Sequence, residues 1–257
     1  MPPETIAPDT LRAVPLFSRL RGGDLERLTG LFKPREYARN RVILFSYDPS
    51  DAFYIVVSGQ VKVMLIAEDG REVILSLVRA GDFFGETALM DDEPFTSSAI
   101  AMEDSRLLVL QRDDFRRSIE EMPGMSFGLL RALCGRLLEA DHRIGGLMLL
   151  DVTGRIAHLF LDLATKGGGD TIANPPTHQT IAQIVGSSRE TVSRTVSAFA
   201  AQNLIESTKD GLRIVDRKAL ENAAGQMLQR RLKTPPVNRQ VRRPESWLRA
   251  PGEGPPA

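Results

Sequence analysis

Residues 186–194, Gly-Ser-Ser-Arg-Glu-Thr-Val-Ser-Arg, hold the densest grouping of side chains suited to recognition chemistry. Arg189, Glu190, Ser193 and Arg194 stand at i, i+1, i+4 and i+5, so a helix beginning near Ser188 carries them on one exposed face. Val192, Val196 and Phe199 fall on the opposite face, where they can pack. An arginine holds guanine O6 and N7 with two hydrogen bonds, and a glutamate accepts from cytosine N4. Each such pair discriminates by about 1–3 kcal/mol. Only residues near the start of a helix laid in the major groove reach base edges, and this set sits there. A blander account also fits: Ser187-x-x-Glu190 has capping-box spacing, in which Glu190 merely closes the helix start. Arginines on a helix face are, besides, commonly just solvated.

The surrounding elements weigh toward base reading. Residues 177–204 read as helix, turn at Gly186, and second helix over Ser188–Gln202. Asp210-Gly211 between Ile205–Thr208 and Leu212–Val215 is a hairpin signal, which completes a winged helix–turn–helix. Before it, Ile156, Leu159, Phe160 and Leu163 line a helix that stops at Gly167-Gly168-Gly169.

The long apolar spacing ahead of this unit is of another kind. Leu130, Leu133, Leu137, Ala140, Ile144 and Leu147 recur every three or four residues, the stripe of a helix that pairs with a second copy of itself. The alternative is that this stripe packs on its own N-terminal domain. Gly145-Gly146 lowers helix propensity near its end and marks a soft point. Farther upstream, residues 11–32 read as short amphipathic helices. Residues 41–111 change to short strands (41–45, 53–57, 61–66, 73–78 and 105–110) separated by turns at 48–51, 58–59, 68–70, 80–82 and 91–94. Such spacing indicates a sandwich or barrel. The expected division is a β-domain over 11–122, a pairing helix over 123–150, a winged helix–turn–helix over 151–222 and a basic, proline-rich tail over 223–257 that lacks apolar periodicity.

Charge qualifies the DNA reading. The 33 basic and 33 acidic side chains cancel, whereas nucleic-acid binders usually carry a basic excess. The cancellation is regional: residues 1–150 carry −5, residues 151–220 carry +1 and residues 221–257 carry +4. A single cysteine, Cys134, excludes a disulfide framework and a four-cysteine iron–sulfur cluster, and reads as a small apolar core residue. A haem ligand in the β-domain is also excluded, because His142, His158 and His178 all lie beyond it. Met1-Pro2-Pro3-Glu4 opens no secretory leader, and no apolar run approaches the roughly 20 residues of a membrane span, so a cytoplasmic protein is expected. Glu86, Asp91, Asp92 and Glu93 cluster in sequence without a histidine, serine–base pair or metal spacing, so no enzyme is expected.

Gly186–Arg194 resembles the recognition helix of the bacterial cyclic-AMP receptor protein/fumarate–nitrate regulator (CRP/FNR) family. Leu150–Arg155 is similar to that family's hinge, Tyr54–Val63 to its β-roll, and Gly81–Glu86 to the start of its phosphate-binding cassette; the likeness spans about residues 11–220. It implies an α+β chain with an N-terminal cyclic-nucleotide-binding-type β-roll (jelly roll), a long dimerisation helix (125–148) and a C-terminal winged helix–turn–helix. The implied partners are inverted-repeat double-stranded DNA, a second copy and RNA polymerase. Arg189, Glu190 and Arg194 would read bases, in half-sites with a G·C-flanked GA step. Ser193, Ser188, Thr177 and Gln179 would touch phosphate or adjacent bases. Gly85, Glu86 and Thr87 fall in the cassette. The Arg-Ser or Arg-Thr pair of cyclic-AMP binders falls on Phe95-Thr96, and their two adjacent hydroxyl residues on Ala140 and Asp141. Phenylalanine cannot neutralise a phosphate, so ordinary cyclic-AMP activation is not expected. Asp141 and Arg143 could meet the two edges of guanine in cyclic di-GMP, or form an ordinary solvated charge cluster. A regulator without ligand is equally admissible. The competing function is a ligand-binding regulatory subunit whose helix–turn–helix docks a protein.

Overall fold

The computed structural model describes residues 6, 8–47, 52–86, 89 and 95–225. The expected turns at 48–51 and 91–94, the acidic trio Asp91–Glu93, Thr87 and the tail beyond Gly225 lie outside them. Two short helices, α1 (Pro8–Arg12) and α2 (Gly22–Thr29), flank a 3-10 turn at Pro15–Phe17. Then come β1 (Lys33–Tyr37), β2 (Val42–Leu44), β3 (Ala52–Ser58), β4 (Gln60–Ile66), β5 (Glu72–Arg79), β6 (Phe83–Phe84), β7 (Ser98–Ala101) and β8 (Ser105–Gln111). They form two four-stranded antiparallel sheets, ordered β1-β8-β3-β6 and β2-β7-β4-β5.

Strand β3 shows why this roll closes. Side chains alternate across a strand. Tyr54 and Val56 point between the sheets to meet Val61, Val63, Ala99 and Val109, while Phe53 and Ile55 point outward into a helical cover of Leu11, Phe17, Leu25 and Phe115. A strand buried on both faces reads as a continuous apolar run, and this one does. At its end Gly59 (φ +88°) carries the chain to the other sheet; a Cβ there would lie 2.3 Å from Ser105 Oγ.

Helix α3 (Arg112–Glu121) leads into α4 (Pro123–Leu149), which runs unbroken through Gly145-Gly146. The first turns of α4 bury Met125 and Leu129 in the helical cover. Gly128 lies so close to the 3-10 turn that a Cβ would sit 2.1 Å from the Leu16 carbonyl oxygen. Beyond that point the helix leaves the core. Leu133 still packs against it, but Leu130, Leu137, Ile144 and Leu147 are each more than half exposed. The stripe is therefore not absorbed by the chain's own roll. Cys134 is exposed on the same helix, contrary to the expectation of burial, because α4 has left the core by then.

Leu150 breaks the helix and the Asp151 side chain accepts from Gly154 N (2.7 Å) to start α5 (Val152–Lys166). The C-terminal unit follows as β9 (Thr171–Ile172), α6 (His178–Val185), α7 (Arg189–Ala201), β10 (Ile205–Thr208), β11 (Gly211–Ile214) and α8 (Arg217–Ala223). Ile156, Phe160, Ile181, Val192, Phe199, Ile205 and Leu220 make its core, and the wing is a three-stranded sheet ordered β10-β11-β9.

Intrinsic propensity favours alanine over glycine inside a helix by about 1 kcal/mol. At Gly128 the backbone contact reverses the sign: Gly128→Ala should lower unfolding stability by about 1–3 kcal/mol in urea titrations. A midpoint that stays or rises would show that the Leu16 turn yields freely.

Candidate functional site

Helix α6 ends at Gly186 in the left-handed conformation (φ 66°, ψ 56°), which turns the chain sharply into α7. Ser188, not Ser187, caps α7: its Oγ accepts from Thr191 N at 3.2 Å. The Ser187–Glu190 capping box does not form. Glu190 stands in the first turn, its carboxyl held below the usual range by hydrogen bonding from its own backbone amide and then from the Ser188 hydroxyl. Val192 and Phe199 are buried, while Ser188, Arg189, Glu190 and Arg194 are exposed and Ser193 is half-buried. The four α7 side chains singled out by spacing thus lie at the outward start of a rigidly capped helix.

Thr177 caps α6, its Oγ1 accepting from Thr180 N at 3.2 Å, and Gln179 is exposed on the first turn. A groove of about 490 Å³ runs beside α7, lined among others by Thr153, Thr191, Arg194, Thr195, Gln202 and Ala223. Thr153 is an exposed hydroxyl in the first turn of α5 that the helical spacing gave no reason to single out. The Asp151 cap is the local signal for it, since a capped N-terminus places amide donors beside that hydroxyl. The reading unit also touches the roll: Gln183 Nε2 donates to Glu72 Oε2 at 2.6 Å, and Lys62 Nζ lies 3.3 Å from the same oxygen.

In the roll, Gly85 (φ +95°) passes so near β3 that a Cβ would lie 2.7 Å from the Ala52 carbonyl. Glu86 follows, buried. Its Oε1 accepts from Arg136 Nη1 of α4, whose Nη2 also donates to the Phe83 carbonyl. The guanidinium lies 4.4 Å from the Phe83 ring centroid. Glu86 Oε2 is buried with no hydrogen-bond partner among the described residues. An orphaned carboxylate oxygen is an acceptor held ready for a hydroxyl or amine donor. Phe95, at the position of the cyclic-AMP binders' arginine, is buried between the sheets, and Thr96 is exposed. Asp141 and Arg143 are not gathered to Glu86. Both are exposed, and Arg143 donates instead to the Leu75 carbonyl on β5. The α4 residue that reaches the cassette is Arg136, which spacing alone did not single out.

A family model of the cyclic nucleotide-binding domain matches residues 34–122, and one of the Crp-like helix-turn-helix domain matches residues 154–223. The chain is 33% identical over 214 residues to the CRP-like cAMP-activated global transcriptional regulator of Mycobacterium tuberculosis, covering 81% of this chain and 96% of that relative. It is 31% identical over 214 residues to the cyclic AMP receptor protein of Thermus thermophilus, covering 83% and 98%. Among solved structures, the c-di-GMP responsive global regulator CLP of Xanthomonas campestris shares the fold with a TM-score of 0.67 at 22% identity, over 76% of this chain and 99% of that one. A nucleotide-binding roll joined through a long helix to a winged helix–turn–helix defines a transcription regulator with its own sensor domain. The chain belongs to the CRP/FNR family of bacterial transcription regulators, whose members are not enzymes. Among the described residues no group of metal-ligating side chains and no helix long and apolar enough to cross a membrane is found.

The side chain of Glu86 is 7% exposed and that of Arg136 39%. Arg136→Ala removes the partner of the buried Glu86 Oε1 and should lower stability by about 1–3 kcal/mol. Adding Glu86→Gln should return part of that loss. Strictly additive losses in a double-mutant cycle would show that the pair does not couple.

Proposed function

We propose that this chain acts in the cytoplasm as a homodimeric, sequence-specific DNA-binding regulator that reads inverted-repeat operators. The observation that carries this reading is the outward face of α7. Arg189, Glu190 and Arg194 are exposed at the start of a helix fixed by the Ser188 cap and the Gly186 turn. These three side chains read base edges; Ser193, Ser188, Thr177 and Gln179 hold phosphate or adjacent bases. The exposed leucine and isoleucine stripe of α4 pairs with the same stripe of a second copy. A two-fold pair sets the reading helices about 34 Å apart, so the two half-sites of the operator lie one DNA turn apart. RNA polymerase is the partner that turns such binding into regulation.

The relatives from Mycobacterium tuberculosis and Thermus thermophilus carry cyclic AMP in their names. This chain meets a nucleotide differently. Glu86 Oε2 supports a sugar hydroxyl as ligand group, whereas Phe95 offers no charge to a phosphate. A nucleotide second messenger whose phosphate needs no arginine at 95 fits best, with cyclic di-GMP ahead of cyclic AMP. Its guanine would have to draw Arg143 from the Leu75 carbonyl. The buried packing of Phe95 favours one second reading, a regulator that needs no ligand and follows its own abundance.

Arg194→Ala should weaken operator binding by roughly 5- to 150-fold, the equivalent of about 1–3 kcal/mol, while binding to random duplex at the same salt changes little. Equal weakening on both would remove base reading from Arg194, and no duplex binding by the unmutated chain would favour protein docking by the helix–turn–helix. For the sensor, calorimetric titration of the dimer with cyclic AMP, cyclic GMP and cyclic di-GMP should show no tight cyclic-AMP binding. Phe95→Arg should raise cyclic-AMP affinity by about tenfold or more, as expected of a new charge-assisted phosphate contact. Tight cyclic-AMP binding by the unmutated chain would overturn the assignment of Phe95.

A further inference from the structure

On β1 the side chains of Lys33, Arg35 and Tyr37 share one face of the sheet, and Glu36 between them falls on the other. The register carries that face inward. Lys33 lies opposite Val109 of β8, and Val109 lies opposite Tyr54 of β3. With Gln111 these residues line a cavity of about 290 Å³. Lys33, Arg35 and Gln111 are exposed, Tyr37 is half-buried and Tyr54 is 8% exposed. The Tyr54 ring is held by stacking on Phe84, 4.9 Å between centroids. Its hydroxyl makes no hydrogen bond among the described residues. Neither do the side chains of Lys33 and Arg35 form an ion pair or hydrogen bond among them. Burial, with Tyr37 beside it, pushes the Tyr54 phenol up to about 12 against the opposing pull of Arg35. It therefore stays an O–H donor at neutral pH.

We infer that this cavity binds a small phosphate monoester at a site separate from the Glu86 cassette. Every polar side chain lining it among the described residues can donate: an ammonium, a guanidinium, two phenols and a carboxamide. No carboxylate stands among them. Lys33 and Arg35, two residues apart on one face, repel each other, and an anion between them offsets that repulsion. Their two charges match the nearly two negative charges of a phosphate monoester at neutral pH. A single carboxylate would leave one cation without a counter-charge. The Tyr54, Tyr37 and Gln111 donors meet the remaining phosphate lone pairs. Size narrows the class further. A cavity of about 290 Å³ lies at the small end of ligand sites, which suits a sugar-sized body and not a dinucleotide. The cassette asks for the opposite chemistry, since its orphaned group is the acceptor Glu86 Oε2. Phe84 stands between the two sites, stacked on Tyr54 and followed in the chain by Gly85-Glu86.

The test is calorimetric titration of the full-length protein with ribose 5-phosphate and glucose 6-phosphate. Saturable binding is expected with a Kd of about 1 mM or tighter. Inorganic phosphate should displace both esters, and glucose should displace neither. Changing both cations, Lys33→Gln with Arg35→Gln, should weaken ester binding by about tenfold or more. Tyr54→Phe keeps the ring on Phe84 and removes only the hydroxyl, so it should fold normally and weaken binding by about 5- to 10-fold. Arg41→Gln removes an exposed cation outside the cavity and should bind the esters as the unmutated chain does. Absence of saturable binding, or equal binding by the cavity variants, would overturn the inference. Loss on Glu86→Gln with retention by both cavity variants would do the same by moving the ester to the cassette. An oligoglutamate peptide that displaces the esters at lower concentration would also overturn it, giving the cavity to an acidic polypeptide.

Discussion

Everything in this chain that has to communicate is attached to α4, and the attachment begins with a backbone contact that leaves no room for a side chain. Gly128 against the Leu16 carbonyl seats the first turns of the helix in the roll's helical cover, with Met125 and Leu129 buried on either side of it. From that anchor the same helix passes Arg136 at the Glu86 cassette and Arg143 at β5, then ends at the Asp151 cap from which the reading unit hangs. A 27-residue helix is about 40 Å of stiff rod. At its far end Leu147 lies beside the Gly186 turn. The exposed stripe on the same rod is the surface proposed above to pair with a second copy.

The legible parts of the fold were those whose signal is local. Strand β3 announces itself through an apolar run, the wing through Asp210-Gly211, and α7 through the glycine before it and its one-sided arginines. Strand β1 does not, because Lys33-Pro34-Arg35-Glu36-Tyr37 has a proline and three charges. It survives as an edge strand paired only with β8, where a missing donor and exposed charge are tolerated. Strand β7, Ser98-Ala99-Ile100-Ala101, lies between β2 and β4, and small side chains suffice there because the pairing around it supplies the stability. Two-residue β6 and β9 are too short for any period. The site divides on the same line. The α7 residues proposed to read bases are neighbours in sequence and could be grouped by spacing. The Arg136–Glu86 pair joins residues fifty apart through a rotation of α4 that no spacing encodes.

Two features of the sensor pull in opposite directions, and the roll's construction reconciles them. Glu86 is buried, and its Oε2 has no hydrogen-bond partner among the described residues. Phe95 is buried as well, in one apolar cluster with Val61, Ala99 and Leu107. Burial of an aromatic ring stabilises the roll without any ligand. On the reading proposed above, the cassette keeps an acceptor for a sugar hydroxyl and offers no charge at Phe95 to a phosphate. Arg136 then acquires a structural duty of its own. It pairs with Glu86 and holds the Phe83 carbonyl and ring, tying the cassette to α4.

The balance of 33 basic and 33 acidic residues follows from the same arrangement. An acidic sensor placed beside a DNA reader repels the duplex at ranges below a Debye length, about 8 Å at physiological salt. Base contacts specify, but phosphate contacts supply most of the affinity. Neutral overall charge is in this sense the sum of two surfaces with opposite tasks. The acidic excess belongs to residues 1–150, which hold Glu86, and the small basic excess of residues 151–220 to the half that holds α7.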